Sequence, residues 1–348
     1  MPTVWFAILA LMLTAYAVLD GFDFGAGILH LFVAKTDAER RTVLSAITPF
    51  WGANEVWLIA AGGVFVFAFP RAFAAAFSGL YLPLTLVIWL VVLRGLSIEI
   101  RSELEHSLWR RGFDAIFAVS SATMAIVLGV ALGNVIRGVP LDGSGYFHED
   151  LFGGASGALD AYTIAMGVFA LVTLSGHGAT FLAWKTDDAL HARCMRWATW
   201  SYRVQLALVV VATALTFVRV PVLFALVLGR PWLWPLPLAG LASGGWVLRL
   251  VSRDRARAAF LASCGFIACF LVATAAALFP TILRSTVDPE YSLAATSATS
   301  SHALAIGFAL WIIGIALVAF YFTYLFRSMA GKATADGAHA GPVDAAKP

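Results

Sequence analysis

Charge is what this sequence has least of. Asp, Glu, Lys and Arg make up 12% of its 348 residues, against about 25% in an ordinary soluble domain. Hydrophobic residues make up 61% and mean hydropathy is +0.86. So few charges cannot coat a globule of this size, which excludes a soluble fold and leaves an all-α integral membrane protein. The balance of 23 basic against 20 acidic residues, a net charge of +3, is too weak to suggest nucleic acid as a partner. Cysteine is almost missing too. Cys194, Cys264 and Cys269 form no C-x-x-C pair and are read as packing residues. The chain also lacks a P-loop, a G-x-G-x-x-G after a strand, H-E-x-x-H and G-x-S-x-G in a useful context, so no catalytic, cofactor or metal site of its own is expected. No repeat of 20 to 50 residues is expected either.

What the sequence has in abundance is long apolar runs. A helix needs about 20 such residues to cross a bilayer, and nine runs qualify, near 4–32, 51–69, 72–98, 113–136, 158–184, 198–219, 232–251, 258–283 and 303–326. The first is too long for a signal peptide and lacks a basic leader, so it is read as a retained helix. Residues 1–330 are read as one polytopic membrane domain and 331–348, which have no apolar period, as a disordered tail. Basic residues alternate between the intervening loops. Lys35, Arg40 and Arg41, then Arg101, Arg110 and Arg111, then Lys185, Arg193 and Arg196, then Arg249, Arg253, Arg255 and Arg257 follow the odd-numbered runs; the even-numbered ones are followed by Arg71, Arg137, Arg230 and Arg284, one apiece. The positive-inside rule then puts the N-terminus outside and the C-terminus in the cytoplasm. The loop 137–157, with Asp142, Glu149 and Asp150, goes to the outer face as an ordered surface loop.

Charges within these runs are costly, about 2.5 to 3.5 kcal/mol each on insertion scales, and mark candidate functional residues. Asp20 and Asp23 lie on one face of the first helix. At about 1.5 Å per residue they fall in its cytoplasmic half. Asn54 and Glu55 in the second run, Arg94, Glu99 and Arg101 at the end of the third and Asp114 at the start of the fourth are expected at the same level. Gly21 and Gly25, in small-xxx-small spacing, would let the first helix approach a neighbour. Two readings follow. Asp23 and Arg94 form a buried ion pair that locks a bundle, or the group is a proton path or polar site open to the cytoplasm, as in an ion or solute transporter.

Haem ligation would need facing histidines. The candidates are His30 and His177 in the runs and His302 at the outer edge of the ninth, while His106, His148, His191 and His339 fall in loops or the tail. His177 near the cytoplasmic end of the fifth run and His302 at the outer end of the ninth differ in depth by most of a bilayer, so they cannot share a haem. A single haem on His177 is the remaining alternative to a packed histidine.

At these same segments the sequence resembles subunit II of the cytochrome bd quinol oxidases. The likeness runs through Asp20-Gly-Phe-Asp-Phe-Gly-Ala-Gly27, Asn54-Glu-Val-Trp-Leu-Ile-Ala-Ala-Gly-Gly63, Phe73-Ala-Ala-Ala-Phe-Ser-Gly79 and Arg94 to Arg101. It continues through Gly133-Asn-Val-Ile-Arg-Gly-Val-Pro140, Phe279-Pro280 and Ala298-Thr-Ser-Ser301. The resemblance implies two four-helix bundles plus a peripheral helix in a bacterial inner membrane. It also implies a partner, subunit I, that carries the b- and d-type haems and the quinol-oxidising loop. In that setting this chain would bind no haem, scaffold its partner and supply part of a cytoplasmic proton route, with Asp23, Arg94 and Asp114 matching family positions tied to that role. A small accessory single-helix subunit, membrane lipids and a structural quinone are compatible further partners. One position departs from the pattern: the acid common after the second run's tryptophan is Gly52 here, and Glu55 is the nearest replacement on that face.

Overall fold

A computed structural model describes residues 1–147, 152, 157–297 and 299–335. Their architecture is helical: α1 (Pro2–Val33), α2 (Asp37–Ala68), α3 (Pro70–Gly79), α4 (Tyr81–Ile100), α5 (Ser107–Arg137), α6 (Ala161–Lys185), α7 (Asp188–Arg219), α8 (Pro221–Leu228), α9 (Pro235–Val251), α10 (Ala256–Leu278) and α11 (Ser301–Ser328). Among the described residues eight helices are long and apolar enough to span a membrane, and α8 with α9, bent by 94° at the break between them, makes a ninth candidate.

Two bundles organise these helices. In the first, α1 packs on α2 and α5, and α4 on α5; in the second, α6, α7, α9 and α10 close a ring of neighbours. The bundles meet where α6 lies against α1 and α5. That contact is close because glycines face each other. A Cβ on Gly25 would stand 2.1 Å from the Leu174 carbonyl oxygen and 2.6 Å from Gly178, backbone that cannot yield. Gly21 and Gly25 thus serve a crossing between bundles rather than gathering acids within one. The peripheral helix is α11, with only 6% of its apolar window buried in this chain.

Several elements run past the apolar segments. The second helix begins at Asp37, fourteen residues before 51, because Thr36 and Glu39 form a capping box that starts it in polar sequence. Pro49 sits inside it without ending it. The run 72–98 divides into α3 and α4, and Pro70 and Pro221 each open a new short helix at the first-turn position that tolerates proline. The run 258–283 stops being helical at Leu278, where the chain turns through a cis Phe279–Pro280 bond into strand β1 (Thr281–Leu283). This strand pairs antiparallel with β2 (Leu293–Ala294), and the loop after α5 joins them through Val139 N–H to the Arg284 carbonyl, 2.9 Å. Gly138 makes that turn at φ +97°. Glu149 and Asp150, with His148, lie outside the described residues.

The tail is docked where it begins. Ala333 N–H donates to the Lys185 carbonyl, 2.8 Å, and Lys332 Nζ to that of Thr186, 2.7 Å; residues 336–348, with His339, lie outside the described residues. A repeat also emerges. Each bundle runs long helix, long helix, proline-initiated short helix, helix, helix, with Lys35-Thr36-Asp37 and Lys185-Thr186-Asp187 at matching bends.

A buried charge cluster as the candidate functional site

The chemistry-bearing residues collect at two levels of the first bundle. At the deeper level Arg94 of α4 donates to both oxygens of Asp20, 2.7 and 3.0 Å, in a bidentate pair with both side chains sealed from solvent. Its guanidinium also lies 4.4 Å from the centre of the Phe24 ring, one turn along α1, so a cation–π contact shares the task of holding it. Glu55 of α2 stands 3.8 Å from Arg94, longer than a hydrogen bond. Asn54 donates to Asp23, 2.8 Å, and to the Leu19 carbonyl, 3.0 Å.

The expected Asp23–Arg94 pair is therefore replaced by Asp20–Arg94. The reason is the rotation of α1. Successive residues turn by about 100°, so Asp20 and Phe24 share the stripe facing α4 while Asp23 is turned toward α2 and Asn54. Asp23 has no ion-pair partner among the described residues, and its other oxygen is buried and unbonded. Buried polar atoms without a protein partner recur around it: Tyr16 Oη, Asn54 Oδ1, Glu55 Oε1, Trp57 Nε1 and Arg94 Nε. Such atoms are normally satisfied by internal water. Three carboxyl groups and one guanidinium make this a site richer in acids than in cations, the composition that suits proton or cation uptake. Glu55 alone approaches the surface, with 12% of its side chain exposed. Gly52, one turn away, faces open space, with nothing within 4 Å of where its Cβ would be.

Nearer the end of the bundle, Asp114 is the centre of a separate knot. His30 Nε2 lies 2.6 Å from it, Arg101 Nε 2.5 Å and Arg40 Nη1 2.8 Å, and Arg101 also reaches Asp37 at 2.8 Å. His30, Arg101 and Asp114 are all buried. His30 is ten residues beyond Asp20, about 15 Å along the helix, so Asp114 does not join the deeper cluster. Glu99 joins neither; it is exposed and has no ion-pair or hydrogen-bond partner among the described residues. The apolar runs place Arg101 at this level but do not by themselves join His30, Arg40 and Asp37 to it. The signal was present in the Thr36-x-x-Glu39 box, since a helix starting there carries Asp37 and Arg40 on its first turn toward α5.

His177 has no ring nitrogen free for a haem iron. Both ring nitrogens of His177 are engaged, Nε2 with the Val18 carbonyl at 2.9 Å and Nδ1 with Ser263 Oγ at 2.6 Å. The carbonyl can only accept, so Nε2 carries the proton. His30 is held by Asp114, His191 by the Ala183 carbonyl and Asp254, and His302 is exposed. Among the described residues no group of three His, Cys, Asp or Glu could hold a metal ion.

Comparison with known proteins agrees with this architecture. The chain is 28% identical to the cytochrome bd-I ubiquinol oxidase subunit 2 of Escherichia coli K12, covering 95% of this chain and 94% of that one. It is 29% identical to a probable cytochrome oxidase subunit 2 of Haemophilus influenzae, over 96% and 95%. It is 32% identical to the cytochrome bd ubiquinol oxidase subunit 2 of Bacillus subtilis over 56% of each. Its fold superposes on a chain of the bd oxidase of Geobacillus thermodenitrificans with a TM-score of 0.76 over 94% of this chain and 97% of that chain, at 16% identity. Residues 1–329 match the family described as cytochrome bd terminal oxidase subunit II, and the chain belongs to that family.

Proposed function

We propose that this chain is the haem-free second subunit of a bacterial quinol:oxygen oxidoreductase. It packs against a haem-bearing subunit I in the inner membrane, scaffolds it, and carries part of the route by which cytoplasmic protons reach the site of oxygen reduction. The observation that carries this reading is the sealed Asp20–Arg94 pair flanked by Asp23, Asn54 and Glu55, with its fringe of unbonded buried polar atoms. Ionisable residues inside a membrane are rare and mark functional sites by default, and chains of carboxyl groups form the proton relays of pumps and transporters. Quinol as the substrate follows from the names of the E. coli and B. subtilis relatives. The orientation with the N-terminus outside rests on the alternation of basic residues between loops.

A transporter built on the same acids is the reading from another class. Secondary transporters commonly use inverted repeats around a midplane site of broken helices. Here α1, α2 and α4 pass the charge cluster unbroken.

The test is a reduced-minus-oxidised visible spectrum of the chain purified alone and with its co-expressed haem subunit. The complex is expected to show b- and d-type bands and the isolated chain none. Stoichiometric haem in the isolated chain would overturn the assignment.

A further inference from the structure

We propose that the second bundle carries a binding site for the phosphate of an anionic phospholipid headgroup, at the same end of the molecule as the Asp114 knot. A cavity of about 640 Å³ opens there between the end of α6, the start of α7 and the turn from α9 into α10. Half of its charged lining is already committed. Lys332 pairs with Asp187 at 3.1 Å and Asp254 with His191 at 2.7 Å. Among the described residues the cations left without a carboxylate partner are Arg255 and Arg257; over the whole lining these two and Lys332 are matched by Asp187, Asp188 and Asp254, so the attraction for an anion is local to the arginine pair. Neither arginine has a carboxylate within ion-pair distance among the described residues, and both are exposed. Arg257 has a ring instead: its guanidinium lies 5.7 Å from the centre of the Trp184 ring, which fixes the head of a long side chain without neutralising it. On the same ring Lys185, fully buried, is spent on the carbonyls of Met329 and Gly331, 2.6 and 3.3 Å.

The wall below the arginines makes the ligand a lipid rather than a free anion. Leu261, four residues beyond Arg257 and so on the same stripe of α10, lines the cavity and is 58% exposed. It begins the apolar surface that this membrane-spanning helix presents outward. A phosphodiester held by Arg255 and Arg257 would therefore sit at the polar boundary of the bilayer with an acyl chain descending over Leu261. A basic residue at an anionic membrane surface strengthens association about fivefold, and two together roughly thirtyfold.

The experiment uses the complex with its haem subunit, delipidated in detergent and titrated with dioleoyl-phosphatidylglycerol under native mass spectrometry, haem content confirming that each variant is assembled. The wild type is expected to retain one phosphatidylglycerol that Arg255→Gln/Arg257→Gln binds at least roughly tenfold more weakly, the worth of one charge-assisted hydrogen bond, while Arg111→Gln, an exposed arginine at the same end, behaves as wild type. Leu261→Asn should weaken the lipid as well, and it carries the test if the double variant fails to assemble. Phosphatidylcholine and millimolar inorganic phosphate should not displace the bound lipid. Equal retention by the double variant and wild type, or equal loss in Arg111→Gln, would overturn the site; displacement by inorganic phosphate would overturn its assignment to a lipid.

Discussion

Asp20→Asn strands Arg94 in a site with no water-facing surface. Both side chains of the pair are essentially unexposed, 0% and 1%, and the nearest other carboxylate, Glu55, is 3.8 Å away. Removing one member of a buried pair costs about 3 to 5 kcal/mol because the other is left uncompensated, equivalent to a loss of roughly two to nearly four orders of magnitude in the equilibrium constant for folding and assembly. Arg94→Gln strands Asp20 and should cost as much. The double variant Asp20→Asn/Arg94→Gln leaves two neutral amides that can bond each other, and should recover about 0.5 to 3 kcal/mol of the summed loss. Asp23→Asn is the discriminating comparison. It strands no cation and keeps an oxygen that can accept from Asn54, so its cost should stay near the ~1 kcal/mol of one altered hydrogen bond. The assay is the yield of haem-loaded complex and its retention of haem on heating. Should Asp23→Asn prove as damaging as Asp20→Asn, or the double variant no better than the singles, the pairing described here is wrong.

Gly25→Val should separate α1 from α6, since its Cβ would stand 2.1 Å from the Leu174 carbonyl oxygen; overpacking of this kind costs about 1 to 3 kcal/mol or more, and an unchanged melting temperature of the complex would refute the close crossing. At the other end of the bundle, burial opposes ionisation of Asp160, but the Thr163 N–H it accepts at 2.7 Å and the neighbouring Arg137 outweigh that and hold it below the usual carboxylate range. A lowered folded pKa means the stabilisation is present above about pH 3.9, the ordinary value, and is lost as pH falls through the folded one. The first turn of α6 should thus lose hydrogen-exchange protection on acidification below pH about 4, and Asp160→Ala should lose about 1 kcal/mol already at neutral pH; equal protection in both proteins at neutral pH would count against the cap.

Whatever depends on hydrophobic runs could be read in the sequence, and whatever depends on rotation could not. The spanning segments appear because about 20 apolar residues have no other stable home. The start of α2 at Asp37 was hidden because its first turns carry Glu39, Arg40 and Arg41, which belong to the membrane surface rather than its interior, although the capping box at Thr36 announced it. That Asp20 rather than Asp23 meets Arg94 depends on how α1 is turned against α4, which spacing along one helix does not determine. The same limit set Asp114 in the wrong cluster: depth counted along separate chains placed it beside Asp20, whereas its actual partners, His30, Arg40 and Arg101, come from three other segments. The repeat is not legible in the sequence because its period, from Lys35-Thr36-Asp37 to Lys185-Thr186-Asp187, is 150 residues and survives in helix plan more than in residues.

The central claim is that the embedded carboxyl groups of this subunit take part in proton delivery, and Glu55 tests it most directly, because it alone in the deeper cluster reaches the surface and lies one turn from Gly52. The measurement is quinol-dependent oxygen uptake per haem of the Glu55→Gln complex between about pH 6 and 8, a range that brackets neutral operation. The account predicts an assembled complex with normal haem content and turnover lowered across that range. Normal turnover per haem throughout would contradict it, making Glu55 structural and sending the protons by another route.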